Sequence, residues 1–225
     1  MKFITLTNNG YLDYTRNLIE SLRRIGIYEG CQGYEPLKVY CIGQECYDNL
    51  DYENKELIQG VEEFQEFRKG DWSKVVVQKF LVIYKELMKG EDVLFTDGDI
   101  VWLDNRFQRD IKNRIDDYDI LFQNDKQDDN DNSELCSGII YAKCNEKNKT
   151  LFNPENINMD SFQCDQIHFN KIKESLSYDK LPLKKYPNGR YYYTRMPERP
   201  YCIHFNYVVG HMKKAFMKQY DYWLI

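Results

Sequence analysis

The chain has 225 residues, 42% of them hydrophobic and 15% aromatic, and a formal net charge of −5. That length suits one generous domain able to bury its core unaided, and the negative balance argues against whole-surface attraction to nucleic acid or an anionic membrane. Any phosphate binding must therefore be local.

The 7 cysteines are odd in number, form no Cys-x-x-Cys pair and have no histidine pair to complete a zinc site. They read as reduced, mostly buried thiols. The opening "MKFITLTNNG" is too short in apolar residues for a signal segment, and no stretch approaches the ~20 apolar residues of a membrane span. A soluble, cytoplasmic protein is the expectation.

In chain order, "KFITLT" predicts a strand turning at "NNGY", and "LDYTRNLIESLRRIG" a helix with Leu18, Leu22 and Ile25 on one stripe. "LKVYCIG" is a second buried strand. Residues 47–73 read as polar and irregular. "SKVVVQKFLVIYKELMKG" predicts one helix, capped by Ser73 and ended by Gly90. "DVLFTDGD", "DYDILFQND" and "LCSGIIYAKCN" are further strands, with the exposed polar run "DNDNSE" between the last two. "SFQCDQIHFNKIKESL" predicts a helix, residues 181–205 turns and short strands, and "HMKKAFMKQYDYW" a closing helix. Strands alternating with helices predict an α/β fold with a mostly parallel sheet, in one domain.

The chemistry concentrates in "VLFTDGDIVWL". Asp97 and Asp99 stand one residue apart where a buried strand ends, the place where open α/β sheets bind ligands. Two like charges so close repel, and burial adds a desolvation cost, so a cation between them is the sharp reading. Hard carboxylate oxygens suit Mg²⁺ or Mn²⁺ shared with a substrate diphosphate, and Gly98 gives room for a close ligand. A plain acidic turn is the bland alternative. The tail "YCIHFNYVVGHMKK" adds His204, then Gly210, Lys213 and Lys214 at a helix start, a ready phosphate cradle. Singly, His204 reads more often as a core histidine and the lysines as a wet face; their coexistence with the acids is what counts.

"VLFTDGDIVW", "LCSGIIYAKCN", "FQCDQIHFN" and "HFNYVVGHMKK", in that order, resemble the metal-dependent nucleotide-sugar glycosyltransferases of the GT-A fold. The pattern is similar to the group around glycogenin and the bacterial lipopolysaccharide galactosyltransferases, and to the related plant and algal cell-wall transferases. Sugar transferases of large DNA viruses also share it. The resemblance implies a Rossmann-like, mixed, mostly parallel sheet flanked by helices over residues 1–225. It implies transfer of a sugar, with retention, from a UDP-sugar (a GDP-sugar is the variant) to a glycan or other hydroxyl acceptor. Asp97, Asp99 and His204 would hold Mn²⁺ or Mg²⁺, and Lys213 would touch the diphosphate three residues after Gly210. Asn206, Tyr207, Val208 and Val209 separate the histidine from the glycine more widely than in glycogenin, which leaves His211 a rival ligand and Lys214 a rival phosphate contact.

Thr5, Thr7 and Asn8 would hydrogen-bond the nucleotide, and Tyr11 would offer a ring for stacking. Lys79 would reach the donor, with a snorkelling surface lysine as the plain alternative. Asp97 and Gly98 also line the donor, Ser137 and Gly138 would lie against its sugar, and Asp165 and Gln166 would contact its hydroxyls and the reaction centre. The Tyr-rich string at 184–201 has the make-up of an acceptor loop or of a packed hairpin. Loops around 60–73 and 185–200 would set specificity.

Two other functions compete. A haloacid-dehalogenase-type phosphatase also uses Asp-x-Asp followed by Val or Thr, as in "DGDIV", with Asp97 as nucleophile and Asp99 as acid/base. That motif normally opens its chain, and "DQIHFN" lacks the second acidic pair it needs. A non-catalytic sugar-nucleotide-binding module on the same fold is the third reading, to which the intact acids and histidine run counter.

Overall fold

In the computed structural model, residues 1–61 and 71–225 are described, with His211 described by its backbone alone. Strands β1 (Lys2–Asn8), β2 (Leu37–Ile42), β3 (Lys55–Ile58), β4 (Val93–Thr96), β6 (Ile120–Asn124), β7 (Leu135–Ala142) and β8 (Tyr178–Leu181) form one sheet in the order β3-β2-β1-β4-β7-β6-β8. The pairs β3–β2, β2–β1, β1–β4 and β6–β8 are parallel; only β7 runs against its neighbours. The sheet is thus mixed and mostly parallel, as the sequence predicts. Strands β5 (Ile100–Trp102) and β9 (Cys202–His204) form a separate antiparallel ribbon.

Both faces of the large sheet are covered, which is why its strands read as unbroken apolar runs rather than alternating ones. Phe3, Val39 and Leu94 enter one core with Leu18, Leu22, Trp102, Phe107 and Tyr186. Their chain neighbours Ile4, Tyr40 and Phe95 enter the other with Phe80, Ile83, Phe122 and Phe169. Helices α1 (Leu12–Arg24) and α5 (Phe107–Arg114) serve the first face. Helices α4 (Gln78–Leu87), α6 (Glu146–Phe152) and α7 (Asp165–Ile172) serve the second. A third, small core of Val101, Ile203, Phe205 and Met217 seats the closing helix α9 (His211–Gln219) on the ribbon.

Several expectations are corrected. Residues 47–73 are not wholly irregular: a short helix at Gln44–Asn49 leads to β3, which forms the sheet edge, while 62–70 lie outside the described residues. The single helix from 73 to 90 is two, α3 (Trp72–Val76) and α4, joined through Val77. It starts at Trp72 after Asp71, so Ser73 sits inside the first turn rather than capping it. Within 181–205 the string "GRYYYTR" is helix α8 (Gly189–Arg195), capped by the Asn188 side chain on Tyr191 N. The helix foreseen at 161–176 shortens to α7 and one further turn, and α9 stops at Gln219. The polar run at 128–134 is exposed, and its carbonyls accept from Lys173 and Lys180.

Candidate active site

The carboxyl ends of β1, β4 and β6 and the start of β7 share one sheet edge, where parallel-sheet folds gather ligands. Asp97 and Asp99 lie in the turn between β4 and β5, not within a strand. The ribbon then joins distant sequence: Ile100 pairs with His204, and Phe205 N donates to Asp99 O at 3.1 Å. One ligand atom from each of Asp97, Asp99 and His204 falls within 4.8 Å of the others.

Each acid has its own buried cation. Lys213 and His204 Nε2, the latter at 3.3 Å, flank the Asp99 carboxylate. Burial alone would raise Asp99, but these two neighbours overcome it and hold the carboxyl far below the usual range. Lys79, 5% exposed, meets Asp97 at 3.0 Å, pairs with Asp165 and donates to Ser137 O at 3.0 Å. Asp97 keeps a third of its side chain exposed, yet burial together with the Asp99 charge pushes it up against the pull of Lys79. Lys79 is thus a buried strut, not a snorkelling surface lysine. Of the two candidate lysines, Lys213 turns to Asp99 while Lys214 pairs with Asp13 at 3.0 Å.

The geometry around the start of α9 is equally definite. Gly210 caps α9 at φ 56° and ψ −142°, a conformation costly for any residue with a Cβ. A cleft of about 510 Å³ is lined by Gly10, Tyr11, Tyr14, Gly210, Lys213 and Lys214 among others, large enough for a nucleotide. The Tyr11 and Tyr14 rings lie 5.4 Å apart at its wall. Burial raises the Tyr11 hydroxyl, Lys213 opposes, and Asp99 and Asp97 add to the rise, which places the ring beside the acids.

Other residues singled out in the sequence separate. Thr5 is fully buried, its hydroxyl donating to Thr96 O at 2.7 Å. Thr7 donates to Asn8 O at 3.2 Å, and both residues are buried where β1 ends. Ser137 and Gly138 sit where the β6–β7 register breaks, between Phe122 and Gln123; Ser137 O accepts from Lys79, while Gly138 O accepts from Asp97 N at 2.8 Å, one step beyond the Thr96–Ile139 pair of the β4–β7 ladder. Asp165 opens α7 and is nearly buried, while Gln166 Nε2 donates to Asp125 Oδ2 at 2.9 Å. The His211 side chain, the rival ligand, lies outside the description.

The sequence reading missed Asp125, Gln123 and Asn206. Asp125 is 8% exposed, makes no ion pair among the described residues, and is raised chiefly by burial. Its position just past the carboxyl end of β6 repeats that of Asp97 after β4, a signal that could have found it. Asn206 bridges Gly189 N, at 2.6 Å, to Asp125 Oδ1, at 3.4 Å. Gln123 Oε1 lies 2.7 Å from His204 Nδ1, and nothing in an isolated glutamine within a strand announces that contact.

Three carboxylates, Asp97, Asp99 and Asp165, meet two ammonium groups, Lys79 and Lys213, which leaves a negative charge in excess, and Asp125, bonded to Gln166 and Asn206, adds a carboxylate with no ion-pair partner among the described residues. A divalent cation fits that excess and the oxygen-rich donor set.

The mixed, mostly parallel sheet with helices on both faces is the Rossmann-like GT-A fold. The family profile described as nucleotide-diphospho-sugar transferase matches residues 41–217, and the chain belongs to that family of glycosyltransferases. The UDP-galactose:fucoside alpha-3-galactosyltransferase of Dictyostelium discoideum is 26% identical over 286 aligned positions, covering 100% of this chain and 43% of that protein. The chain thus spans less than half the length of that curated relative. Among solved structures, the glycosyltransferase GlyE of Streptococcus pneumoniae TIGR4 superposes with a TM-score of 0.58 at 12% identity, over 100% of this chain and 61% of that one. A glycosyltransferase involved in glycosylation of the major capsid of PBCV-1 gives 0.62 at 12% identity, over 96% and 98%. The galactosyltransferase LgtC, in complex with donor and acceptor sugar analogs, gives 0.54 at 11%, over 91% and 86%. At these identities the likeness is one of fold. Among the described residues no helix is long and apolar enough to cross a membrane.

Proposed function

We propose that this chain is a divalent-metal-dependent glycosyltransferase that moves a hexose from a UDP-sugar to a hydroxyl of a glycan, with retention of configuration. The convergence of Asp97, Asp99 and His204 within 4.8 Å, beside the Gly210–Lys213 helix start, is the observation that carries it. The donor chemistry named for the Dictyostelium relative supports UDP-galactose as the first donor to try.

Asp97, Asp99 and His204 would hold Mn²⁺ or Mg²⁺, which when bound neutralises charge on the departing diphosphate. The protein's own groups do the rest. Lys213 and the backbone amides after Gly210 bind diphosphate oxygens, so Lys213 exchanges one anionic partner for another. Lys79 pairs with both Asp97 and Asp165 and so ties the two acids together. Asp165 and Gln166 orient the donor's hydroxyls, Gln166 itself being steadied by Asp125. Tyr11 and Tyr14 wall the nucleotide cleft. With its sugar held by these contacts, the acceptor hydroxyl attacks the anomeric carbon on the leaving-group face, and its proton passes to the departing diphosphate oxygen.

A screen of UDP- and GDP-sugars for Mn²⁺-dependent hydrolysis tests donor, metal and class together. Asp99→Asn should lower that rate on the order of 100-fold or more while the protein remains folded. Full activity in this variant refutes the metal assignment.

A further inference from the structure

His204 is fully enclosed, and its ring is held on both sides. On one side lies β7: a Cβ placed on Gly138 would stand 2.3 Å from His204 Cε1 and 2.7 Å from Nδ1, so the ring rests directly on glycine backbone. On the other lies Gln123, itself without exposed surface. Its Nε2 reaches two backbone carbonyls, Tyr186 O at 3.2 Å and Pro187 O at 3.0 Å. Carbonyl oxygens only accept, so the amide nitrogen must be at that end and Oε1 at the other, 2.7 Å from His204 Nδ1. Oε1 also only accepts. The proton of a neutral imidazole must therefore sit on Nδ1, which leaves the Nε2 lone pair facing Asp99 Oδ1 at 3.3 Å.

That outcome runs against the local field. Beside anionic Asp99 a neutral imidazole left to itself would place its proton on Nε2 and donate to the carboxylate, closing the one nitrogen able to bind a cation. The alternative acceptor at Nδ1 is weak: Cys136 Sγ stands 3.7 Å away. We propose that Gln123 is a positioning residue that fixes His204 in the Nδ1–H form and so keeps Nε2 open toward Asp97 and Asp99. The register break between Phe122 and Gln123 is the device that sets the glutamine opposite the ring, since from there Gln123 pairs with Cys136 rather than continuing the ladder from Ile140. The consequence for cation binding rests on the metal reading above; the tautomer itself does not.

Long-range ¹H–¹⁵N spectra of the metal-free protein at neutral pH decide it, with only 3 histidines to assign. The expected result is the Nδ1–H pattern for His204; an Nε2–H pattern overturns the proposal. Gln123→Met should mix the two tautomers and weaken Mn²⁺ binding in the presence of UDP about 10–100-fold. An unchanged tautomer in Gln123→Met overturns the assignment. Should that variant fail to fold, the wild-type spectrum decides alone. A wild-type protein that shows Nδ1–H yet binds no manganese sinks the metal reading and leaves the tautomer assignment standing.

Discussion

At Gly138 the backbone leaves no space for a methyl group, because the His204 ring already fills it. Gly138→Ala should therefore push the ring off its seat and weaken Mn²⁺ binding at least tenfold by calorimetry, whereas the exposed Lys147→Ala should change nothing. Lys79 poses the complementary case, a cation between two acids with 7% of its side chain exposed. Removing one member of a buried pair leaves charge uncompensated, so Lys79→Met should lower stability by about 3–5 kcal/mol in urea unfolding. A loss below about 1 kcal/mol would mean that Asp165 and Asp97 find other partners. Both residues were singled out in the sequence through the family resemblance, Lys79 as reaching the donor and Gly138 as lying against its sugar, though not as a buried strut and the seat of the His204 ring. Gln123 and Asn206 were not, since an amide's role depends on what register and loop closure set opposite it.

Elements show the same division. Helix α4 is anchored to the sheet by Glu86, which accepts from Tyr40 and from Lys38 and Lys89, each lysine at 2.9 Å. Burial would raise this carboxyl, yet those three donors hold it down at about 2 against an ordinary value near 4.5. A depressed carboxyl adds stability that is complete above its unfolded value and is lost as pH falls from about 4.5 towards 2. The stability gap between wild type and Glu86→Gln, measured by urea unfolding, should shrink by about 3 kcal/mol between pH 6 and pH 2. A gap that does not narrow would show that Glu86 is not held ionised. Strands were legible because covering on both faces makes them continuous apolar runs. Helix α8 was not: three successive tyrosines favour a strand by propensity, and the Asn188 cap with the close approach of Gly189 to Asn206 O reverses that preference. The split at Val77 was likewise invisible, the apolar stripe running across it unchanged.

For the molecule as a whole, the site depends on a ribbon outside the main sheet. Strand β9 is the partner of β5 among the described residues and carries His204 to the acids, with α9 packed behind it on Met217. Shortening the chain at Pro200 should abolish Mn²⁺-dependent UDP binding while much of the far-ultraviolet dichroism of the seven-stranded sheet and its helices survives. Retained binding would place the cation elsewhere. The pairing of Ile100 with His204 also has a temporal side. A ribosome delivers the two aspartates roughly a hundred residues before the histidine, so over that span of synthesis the pocket is unfinished. Its lysine guards arrive at different times too, Lys79 early and Lys213 late. Until the last segment docks, the half-built pocket has one lysine and no imidazole.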